Sequence, residues 1–492
     1  MKKNNFLVVV LLLGGCAVGP DFHAPEPPQD ARYTAVTTTS AGESRPQLVM
    51  EDDIPEQWWT LFQSTELSSL VSLGLKNSPT LVAAEAKLRA SQESLRADTG
   101  SLLYPSVDLP LTSSRQKISG ATFGDAGNEN IFSVHNASVS VTYDISLFGT
   151  GQRYLEYGQA IVDANAYQLQ ATRLTLATNI VTAAITEASL REQLAALQAI
   201  IDDEAAVLDV VEKQFNIGVI PKAALLSQRA SLAQTRSQLP VLEKQLQQAR
   251  HQLAMLTGGF PDSADKLPQI KLDDLVMPGE IPLTLPSTLT QRRPDVRAAE
   301  AVLHQANAQV GFATASLYPS LTLTADYGTE STRIADLFNA GTTVWGLGAG
   351  LTQPLFHGGE LRAKRRAALA GFDQAAALYR QSVLAAFQDV ANALSALNMD
   401  SKQLDLEAES ENLSSETLDL VRQQYKQGAA SYLALLDAQR AYQQARIGLI
   451  RARVALYNDI AALMYALGGG WDWHSHASEQ SDSTEPHKEK TS

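Results

Sequence analysis

Leucines recur at every seventh position in two separate stretches of this chain. A seven-residue apolar spacing keeps one stripe of a helix facing its partner only when the helices wind into a left-handed supercoil. In the second stretch, small residues, mostly alanine, follow three positions after the members of the stripe. We therefore predict closely packed, coiled-coil-like helices on two sets of positions: Leu225, Leu232, Leu239, Leu246 and Leu253, and Leu435, Tyr442, Leu449, Leu456 and Leu463.

The two stretches belong to an internal duplication. Sliding the chain onto itself by about 210 positions superposes both leucine sets and further residues in one register. The further matches are Gln214 with Gln424, Phe215 with Tyr425, Gly218 with Gly428, Arg236 with Arg446, and Gly258-Gly259 with Gly468-Gly469. The chain is therefore expected to contain two repeats of one structural unit, which we call the first and the second repeat.

Each repeat also carries two segments in which apolar and polar residues alternate, the pattern of a strand with one apolar face. The alternating apolar positions are Val107, Leu109 and Leu111, then Val139, Val141, Tyr143 and Ile145 in the first repeat, and Leu321, Leu323, Ala325 and Tyr327, then Trp345, Leu347, Ala349 and Leu351 in the second. We predict one β-hairpin per repeat, at residues 105–146 and 319–356, the first with a long exposed loop.

A long helical hairpin is predicted after each β-hairpin. Helix-favouring sequence without proline runs past Gly218 in the first repeat and past Gly428 in the second. Each stretch holds nearly 70 residues, which is on the order of 100 Å of α-helix. We expect both glycines to end the long helix in a left-handed conformation, after which the leucine-repeat helix returns antiparallel.

The N-terminus has the features of a secretory signal followed by a lipidated cysteine. Two lysines precede a short apolar run, and Leu13-Gly14-Gly15 leads to Cys16, the only cysteine in 492 residues. We predict a signal peptide at residues 1–15, acylation of Cys16, and sorting to outer-membrane lipid, since Ala17 is not the aspartate that retains bacterial lipoproteins in the inner membrane. Residues 16–57 are expected to form an extended lipidated segment, and residues 472–492 a disordered tail.

Composition and motifs argue against an enzyme and against nucleic-acid binding. The formal net charge is −14, which disfavours nucleic acid as a partner. No nucleophile, zinc or cofactor motif is present, and His474 and His476 belong to the polar tail. No cofactor and no metal are expected. One candidate function is that of a periplasmic coiled-coil lipoprotein that acts as a scaffold or adaptor and forms no pore; the predicted strands decide between this and a membrane pore.

Four strands cannot close a membrane barrel, since the smallest have about eight and an open edge in lipid leaves backbone groups without hydrogen bonds. Several chains would have to share one barrel, and three would supply about twelve strands, enough for a lumen. A soluble β-sandwich layer within one chain is the competing interpretation. The paired apolar faces, the lipid anchor and the long helices favour the shared barrel.

Five motifs together resemble the TolC-type outer-membrane efflux factors, specifically the lipoprotein branch that serves resistance-nodulation-division pumps. They are Trp58-Trp59-Thr60-Leu61-Phe62, Arg292-Arg293-Pro294-Asp295-Val296-Arg297-Ala298-Ala299-Glu300, Leu317-Tyr318-Pro319-Ser320-Leu321, Gly428 through Ser431-Tyr432-Leu433 to Leu436-Asp437-Ala438-Gln439-Arg440, and Leu467-Gly468-Gly469-Gly470-Trp471. The resemblance covers nearly the whole mature chain.

The resemblance implies a mixed α/β membrane protein that forms a homotrimer. Its long helical hairpins would build a trimeric α-barrel in the periplasm, joined to a shared 12-stranded β-barrel in the outer membrane. The repeats would span residues 58–260 and 287–471, with an equatorial segment at residues 261–286 between them. The assembly would be the exit duct of a tripartite efflux system, passing small molecules from an inner-membrane pump and a periplasmic adaptor to the outside.

The resemblance also implies a gate at the periplasmic tips of the hairpins. Gly218 and Gly428 would form the tip turns that contact the adaptor. Asp437 matches an aspartate of an acidic ring, and Tyr425 matches a tyrosine of the network that holds the closed tip. Where relatives often have a second acid and an arginine, this chain has Ala434 and Ala430, so its closed state should have fewer polar contacts.

Overall fold

The computed structural model describes residues 17–26, 46–50, 54–119, 129–283, 286–469 and 471. The predicted signal peptide, the lipidation residue Cys16, most of the first hairpin loop and the tail with His474 and His476 lie outside these residues. Among the described residues, no helix combines the length and the apolar character needed to cross a membrane.

The elements follow one order in both repeats: helices, a β-hairpin, one very long helix and its return. The first repeat contains β1 (Gln47–Met50), α1 (Thr65–Asn77), α2 (Pro79–Leu103), β2 (Ser106–Asp108), β3 (Leu111–Ser119), β4 (Glu129–Ile145), α3 (Thr150–Asn216), α4 (Lys222–Arg236) and α5 (Leu239–Leu256). The rest contains β5 (Glu280–Leu283), α6 (Pro286–Arg292), α7 (Pro294–Ala315), β6 (Ser320–Ser331), β7 (Thr343–Thr352), α8 (Glu360–Lys426) and α9 (Tyr432–Ala466). The long helices α3 and α8 have 67 residues each, in agreement with the duplication.

The chain divides into two compact units. The first contains the described part of Met1–Pro25 together with Lys87–Ala166 and Ala298–Arg380, and therefore all of the β-hairpin strands. The second contains the described parts of Glu26–Ala86, Tyr167–Arg297 and Gln381–Ser492, and therefore the helix-hairpin tips.

The first unit holds one antiparallel sheet to which both repeats contribute. The strand order is β2 and β3, then β4, β6 and β7, and β4 of the first repeat pairs with β6 of the second. The alternating apolar side chains of β3 and β7 are exposed, including Leu111, Trp345 and Leu347. Within one chain, this sheet therefore leaves an apolar face uncovered.

The first predicted strand is divided into β2 and β3. The division falls at Leu109-Pro110, and the physical reason is that proline has no N–H to donate to the ladder. Both pieces keep the same register on β4, since Val107 lies opposite Val141 and Leu111 opposite Ala137. The prediction of one continuous strand was wrong, but its apolar face is continuous.

The return helix of the first repeat is also divided, whereas α9 in the second repeat is continuous. The division between α4 and α5 lies at Ser237-Gln238, and Pro240 is the second residue of α5. Proline cannot donate to the carbonyl four residues earlier, and its ring clashes with that carbonyl. The leucine stripe persists across the break: Leu225, Leu232 and Leu253 are buried.

The inter-repeat segment is part of the second unit and packs against β1 and α9, which lie near opposite ends of the sequence. Strand β5 pairs in parallel with β1, with Gln47 opposite Glu280. On the other side, the Tyr457 hydroxyl of α9 donates to the Leu275 carbonyl at 2.6 Å, and Arg453 lies 2.8 Å from the Asp273 carboxylate. Segments distant in sequence thus meet at one level of the helices.

One aspartate interrupts the small-residue seam of α9. Ala438, Ala445, Ala452 and Ala466 are buried, and Asp459 takes the intervening seam position. Burial, together with the nearby Asp400 carboxyl group on α8, raises the pKa of Asp459 to about 7. Oδ2 of Asp459 has no hydrogen-bond partner within the described chain.

Replacement of Asp459 by asparagine should stabilise the protein more at pH 8 than at pH 5. The folded state holds the proton up to about pH 7 while the unfolded state releases it near about pH 4, so the wild-type loses stability as pH rises through that window. We expect a gain on the order of 1 kcal/mol at pH 8, measured by thermal unfolding in detergent. Asp405→Asn, at an exposed position of α8, is the control; an equal gain at both pH values would contradict the interpretation.

Replacement of Gly468 by alanine should destabilise the second unit. Gly468 has a φ of 76°, and an added Cβ would lie 2.9 Å from the Arg292 carbonyl oxygen. The left-handed conformation alone costs an alanine about 1–2 kcal/mol. The control is Gly100→Ala in α2, where an added Cβ meets open space and helix propensity favours alanine by roughly 1 kcal/mol. Equal melting temperatures for the two variants would refute the argument.

Candidate functional site at the helix-hairpin tips

Both long helices end in the same glycine turn. Gly218 and Gly428 have φ values of 78° and 76°. The residue after each glycine donates its N–H to the carbonyl five positions earlier, Val219 to Gln214 at 3.0 Å and Ala429 to Gln424 at 2.8 Å. This is the Schellman pattern, which satisfies the last carbonyls of the helix. The predicted left-handed glycines are confirmed, and each turn leads directly into a return helix.

A pair of tyrosine–glutamine contacts ties the tips of the two repeats together within the chain. The Tyr425 hydroxyl on α8 donates to Oε1 of Gln214 on α3 at 2.9 Å. Tyr432 at the start of α9 donates to Oε1 of Gln228 on α4, and Gln228 in turn donates to the Glu204 carbonyl at 3.0 Å. Burial raises the pKa of both tyrosines, so both hydroxyls remain protonated donors near neutral pH.

Two ion pairs accompany these contacts. Arg422 on α8 lies 2.9 Å from the Asp203 carboxylate on α3, and therefore links the two repeats. Arg229 on α4 lies 2.8 Å from Glu212 on α3 and links the two helices of one hairpin. Both pairs are largely exposed, so each contributes on the order of 0–1 kcal/mol.

Asp437 is at the surface of α9, one turn after the tip. Its carboxylate makes no hydrogen bond or ion pair with any residue that the structure describes, and its neighbour Ala434 is exposed as well. Ala430 lies in the tip turn itself and is partly buried. The structure thus brings Tyr425 into an intrachain contact and leaves Asp437 available to solvent or to another molecule.

Unpaired polar atoms lie buried beneath the tips. Glu204 on α3 is buried, and its Oε2 has no hydrogen-bond partner in the described chain. Burial raises the pKa of Glu204, while Thr235 and Ser231 act in the opposite direction. The Gln439 side chain on α9 is also buried, with both its oxygen and its nitrogen unpaired. Unpaired buried polar groups are costly, so the packing of the tips in one chain is not optimal.

An exposed apolar stripe runs along α8 in the second unit. Its members are spaced by seven residues, and each is at least 54% exposed: Met399, Leu406, Leu413 and Leu420. This is the heptad spacing of a coiled-coil seam, but no helix of the described chain covers it. This stripe is not among the predicted features, although its spacing is visible in the sequence.

The chain segment after the predicted lipidation residue is packed in the first unit. Arg153 on α3 is buried and lies 2.7 Å from both Asp21 and Glu156. Phe22 stacks on His304 of α7 with ring centroids 4.3 Å apart. Val18 donates its N–H to the Phe148 carbonyl at 3.1 Å, next to the end of β4. The segment therefore starts at the junction of the sheet and the helices.

No group of three or more histidine, cysteine, aspartate or glutamate residues in the described part of the chain could hold a metal ion. The tips offer hydrogen-bonding groups, exposed charges and apolar surface, which are suited to contacts with other helices.

A family model described as outer membrane efflux protein matches residues 70–259 and 285–469. The chain is 32% identical over 480 residues to the pyoverdine export outer membrane protein OpmQ of Pseudomonas aeruginosa, an alignment that covers 96% of this chain and 97% of that protein. It is 28% identical over 496 residues to the toluene efflux pump outer membrane protein TtgC of Pseudomonas putida, covering 98% and 99%. The two matched blocks correspond to the two repeats.

Solved structures give the same result. The outer-membrane channel OprN has a TM-score of 0.84 at 27% identity, over 93% of this chain and 100% of that chain. The MtrE channel of Neisseria gonorrhoeae, in its open state, has a TM-score of 0.79 at 26% identity, over 92% and 98%. The duplicated fold, with helical hairpins and a β-domain, is therefore that of known outer-membrane channels.

Replacement of Tyr425 by phenylalanine should weaken the contact between the two repeats at the tips. The variant loses the hydrogen bond to Gln214 and leaves that amide unpaired, at a cost of about 1 kcal/mol. Tyr442→Phe is the control, since Tyr442 packs on the same apolar cluster without a hydrogen bond to the described residues. We expect faster hydrogen exchange around residues 210–220 in Tyr425→Phe alone, and unchanged exchange would contradict the role of this hydroxyl.

Proposed function

The chain belongs to the family of outer membrane efflux proteins, and we propose on that premise that three copies assemble into one exit duct with a gate at the helix-hairpin tips. The protein lies in the outer membrane and is the exit component of an efflux system. The observation that carries the proposed assembly is that a single chain leaves both its sheet and its helical layer open at the sides.

The open sheet supports a ring of three. Strand β7 pairs only with β6, and β2 and β3 pair only with β4, among the strands that the structure describes. An unpaired edge in lipid is costly because its N–H and C=O groups find no water. Because β2 and β3 act as one interrupted strand, each chain supplies four strands. Three copies would close a barrel of about twelve, whereas two would give about eight and little lumen.

The exposed stripe of α8 supports the same assembly in the helical part. Each exposed leucine that becomes fully buried contributes about 1.5–3 kcal/mol, so Leu406, Leu413 and Leu420 together favour a partner helix strongly. A second copy can supply that helix along the whole seam. The apolar stripe then becomes an inter-subunit coiled coil and the helices of three copies enclose a tunnel.

We assign the gate to Asp437 and Tyr425. In a ring with threefold symmetry, three Asp437 side chains would occupy equivalent positions around the axis. Their mutual repulsion would weaken the closed state, and their combined negative charge would attract cations. Tyr425 and its partner Gln214 would hold the hairpins of each chain in the closed arrangement. Ala430 and Ala434 supply no polar contact, which leaves the latch weak.

The tips also give the surface for the proposed partners. The turns at Gly218 and Gly428 would contact a periplasmic adaptor that joins the duct to an inner-membrane pump of the resistance-nodulation-division type. The names of similar proteins include pyoverdine export and toluene efflux. Such different cargo is consistent with a permissive duct for small molecules that performs no catalysis.

We propose that the duct is anchored by acylation of Cys16. The support is the placement of the next residues: Ala17 lies against Gly149, at the junction of the sheet and the helices, and Arg153 fixes Asp21 four residues further on. The acyl chains would therefore enter the leaflet beside the sheet.

Single-channel recording of the purified protein in planar bilayers tests the duct against the scaffold alternative. We expect small, cation-selective currents with brief openings, since the tips are closed by weak contacts. A protein that inserts into the bilayer but conducts no ions in any condition, including after removal of the tips by limited proteolysis, would support the scaffold and contradict the duct.

Replacement of Asp437 by alanine should increase the closed-state conductance and reduce cation selectivity. Removal of three carboxylates from a narrow ring eliminates the charge that attracts cations, and the shorter alanine side chains widen the constriction. Glu243→Ala, an exposed acid on α5, controls for the loss of surface charge. A conductance and selectivity equal to those of the wild-type would exclude Asp437 from the gate.

A further inference from the structure

The duplication makes each contact between the two repeats of one chain a template for a contact between chains. In the proposed ring, first and second repeats alternate. The first repeat therefore meets the second within a chain, and the second meets the first repeat of the next chain. Some contacts between the repeats involve residues whose duplicated equivalents do not meet within the chain. Those equivalent residues are expected to meet between neighbouring copies, at the inter-subunit seam. This inference rests on the proposed assembly.

One such contact is an aromatic stack between repeats in the first unit. Phe148 follows β4 of the first repeat, and Tyr318 precedes β6 of the second. Ile145 lies opposite Leu321 in the antiparallel pair, so the same register brings Phe148, three residues beyond, opposite Tyr318. Their ring centroids are 4.9 Å apart and their planes differ by 26°, an offset-stacked geometry.

The counterpart residues are exposed in the chain. The motif Leu147-Phe148 corresponds to Leu355-Phe356 after β7, and Leu317-Tyr318-Pro319-Ser320 corresponds to Leu103-Tyr104-Pro105-Ser106 before β2. Phe356 is 87% exposed and Tyr104 is 66% exposed. They flank the two outer strands of the sheet, β7 and β2, which lie at opposite edges. Within one chain the second stack is therefore not formed.

We propose that Phe356 of one copy stacks on Tyr104 of the next copy and fixes the register in which β7 pairs with β2 and β3 of that copy. The occupant of the exposed aromatic position is thus a second copy of this chain. The stack would lie at the end of the strands that adjoins the helices and would align the two edges.

The side-chain faces of the strands provide an independent check. When residues are counted inward from Phe356 and Tyr104 in an antiparallel register, Leu351 lies opposite Leu109, and Ala349 lies opposite Leu111. The exposed residues Leu109, Leu111, Trp345, Leu347 and Leu351 then fall on one face of the joined sheet. If the register were shifted by one residue, the apolar residues of β7 would lie opposite polar residues of β2 and β3.

Cysteine cross-linking tests the pair. The variant Phe356→Cys with Tyr104→Cys is treated with a short bis-maleimide in the native membrane and separated on a denaturing gel. Phe148→Cys with Tyr318→Cys is the matched control, because the same geometry lies within one chain and must give a cross-linked monomer. Phe356→Cys with Ser113→Cys is the register control, since Ser113 lies about 30 Å along the strand from Tyr104. The two single variants control for Cys16.

We expect the Phe356/Tyr104 variant alone to form covalent dimers and trimers, at a yield at least tenfold above the register control. If the particle has three copies but this variant gives no more inter-chain product than the register control, the proposed stack is wrong while the proposed function stands. If the particle contains a single chain, both the proposed assembly and the proposed stack between copies are wrong.

Discussion

The constraint on which this structure depends is that every backbone hydrogen-bonding group of a sheet in lipid must be paired. A single chain cannot satisfy this requirement, because β2 and β3 form one unpaired edge of its sheet and β7 forms the other. In the proposed ring the duplication supplies the solution, because β4 and β6 already pair across the repeats within one chain and the outer edges would pair in the same way. Closure by further copies would then repeat an interface that one chain has already formed.

The helical part of the chain likewise leaves a surface uncovered, and its contacts at the tips are weaker than those of the sheet. The members of the two leucine stripes are buried or partly buried between helices of the second unit, while the stripe from Met399 to Leu420 remains exposed on α8. At the tips, however, the chain uses hydrogen bonds, exposed ion pairs and unpaired buried groups such as Gln439. Strong packing along the helices and weak polar contacts at their ends are consistent with the proposed tunnel and with a gate at the tips that can open.

Much of the fold could be predicted because its signals are periodic. The heptads, the alternating strands and the glycines at 218 and 428 each follow from one local rule, and the duplication provides every signal twice. The breaks at Pro110 and Pro240 show where a single residue overrides a pattern that its neighbours share. Both prolines were visible in the sequence, and the rule for a missing N–H would have located the breaks.

The contacts of the candidate site were less predictable. Tyr432 with Gln228, Arg422 with Asp203, and Asp400 with Asp459 join residues from separate helices, and their pairing depends on how antiparallel helices are aligned lengthwise. The sequence gives the spacing within a helix but not that alignment. Gln214 and Tyr425 were both found through the repeat, yet only the structure shows that they contact each other.

The most direct test of the account is the mass of the intact particle, measured by native mass spectrometry on protein extracted in mild detergent. We predict three chains per particle, because four strands per chain then close one barrel and the stripe of α8 is covered in every copy. A particle of one chain or of two would leave edges unpaired or no lumen, and would contradict it.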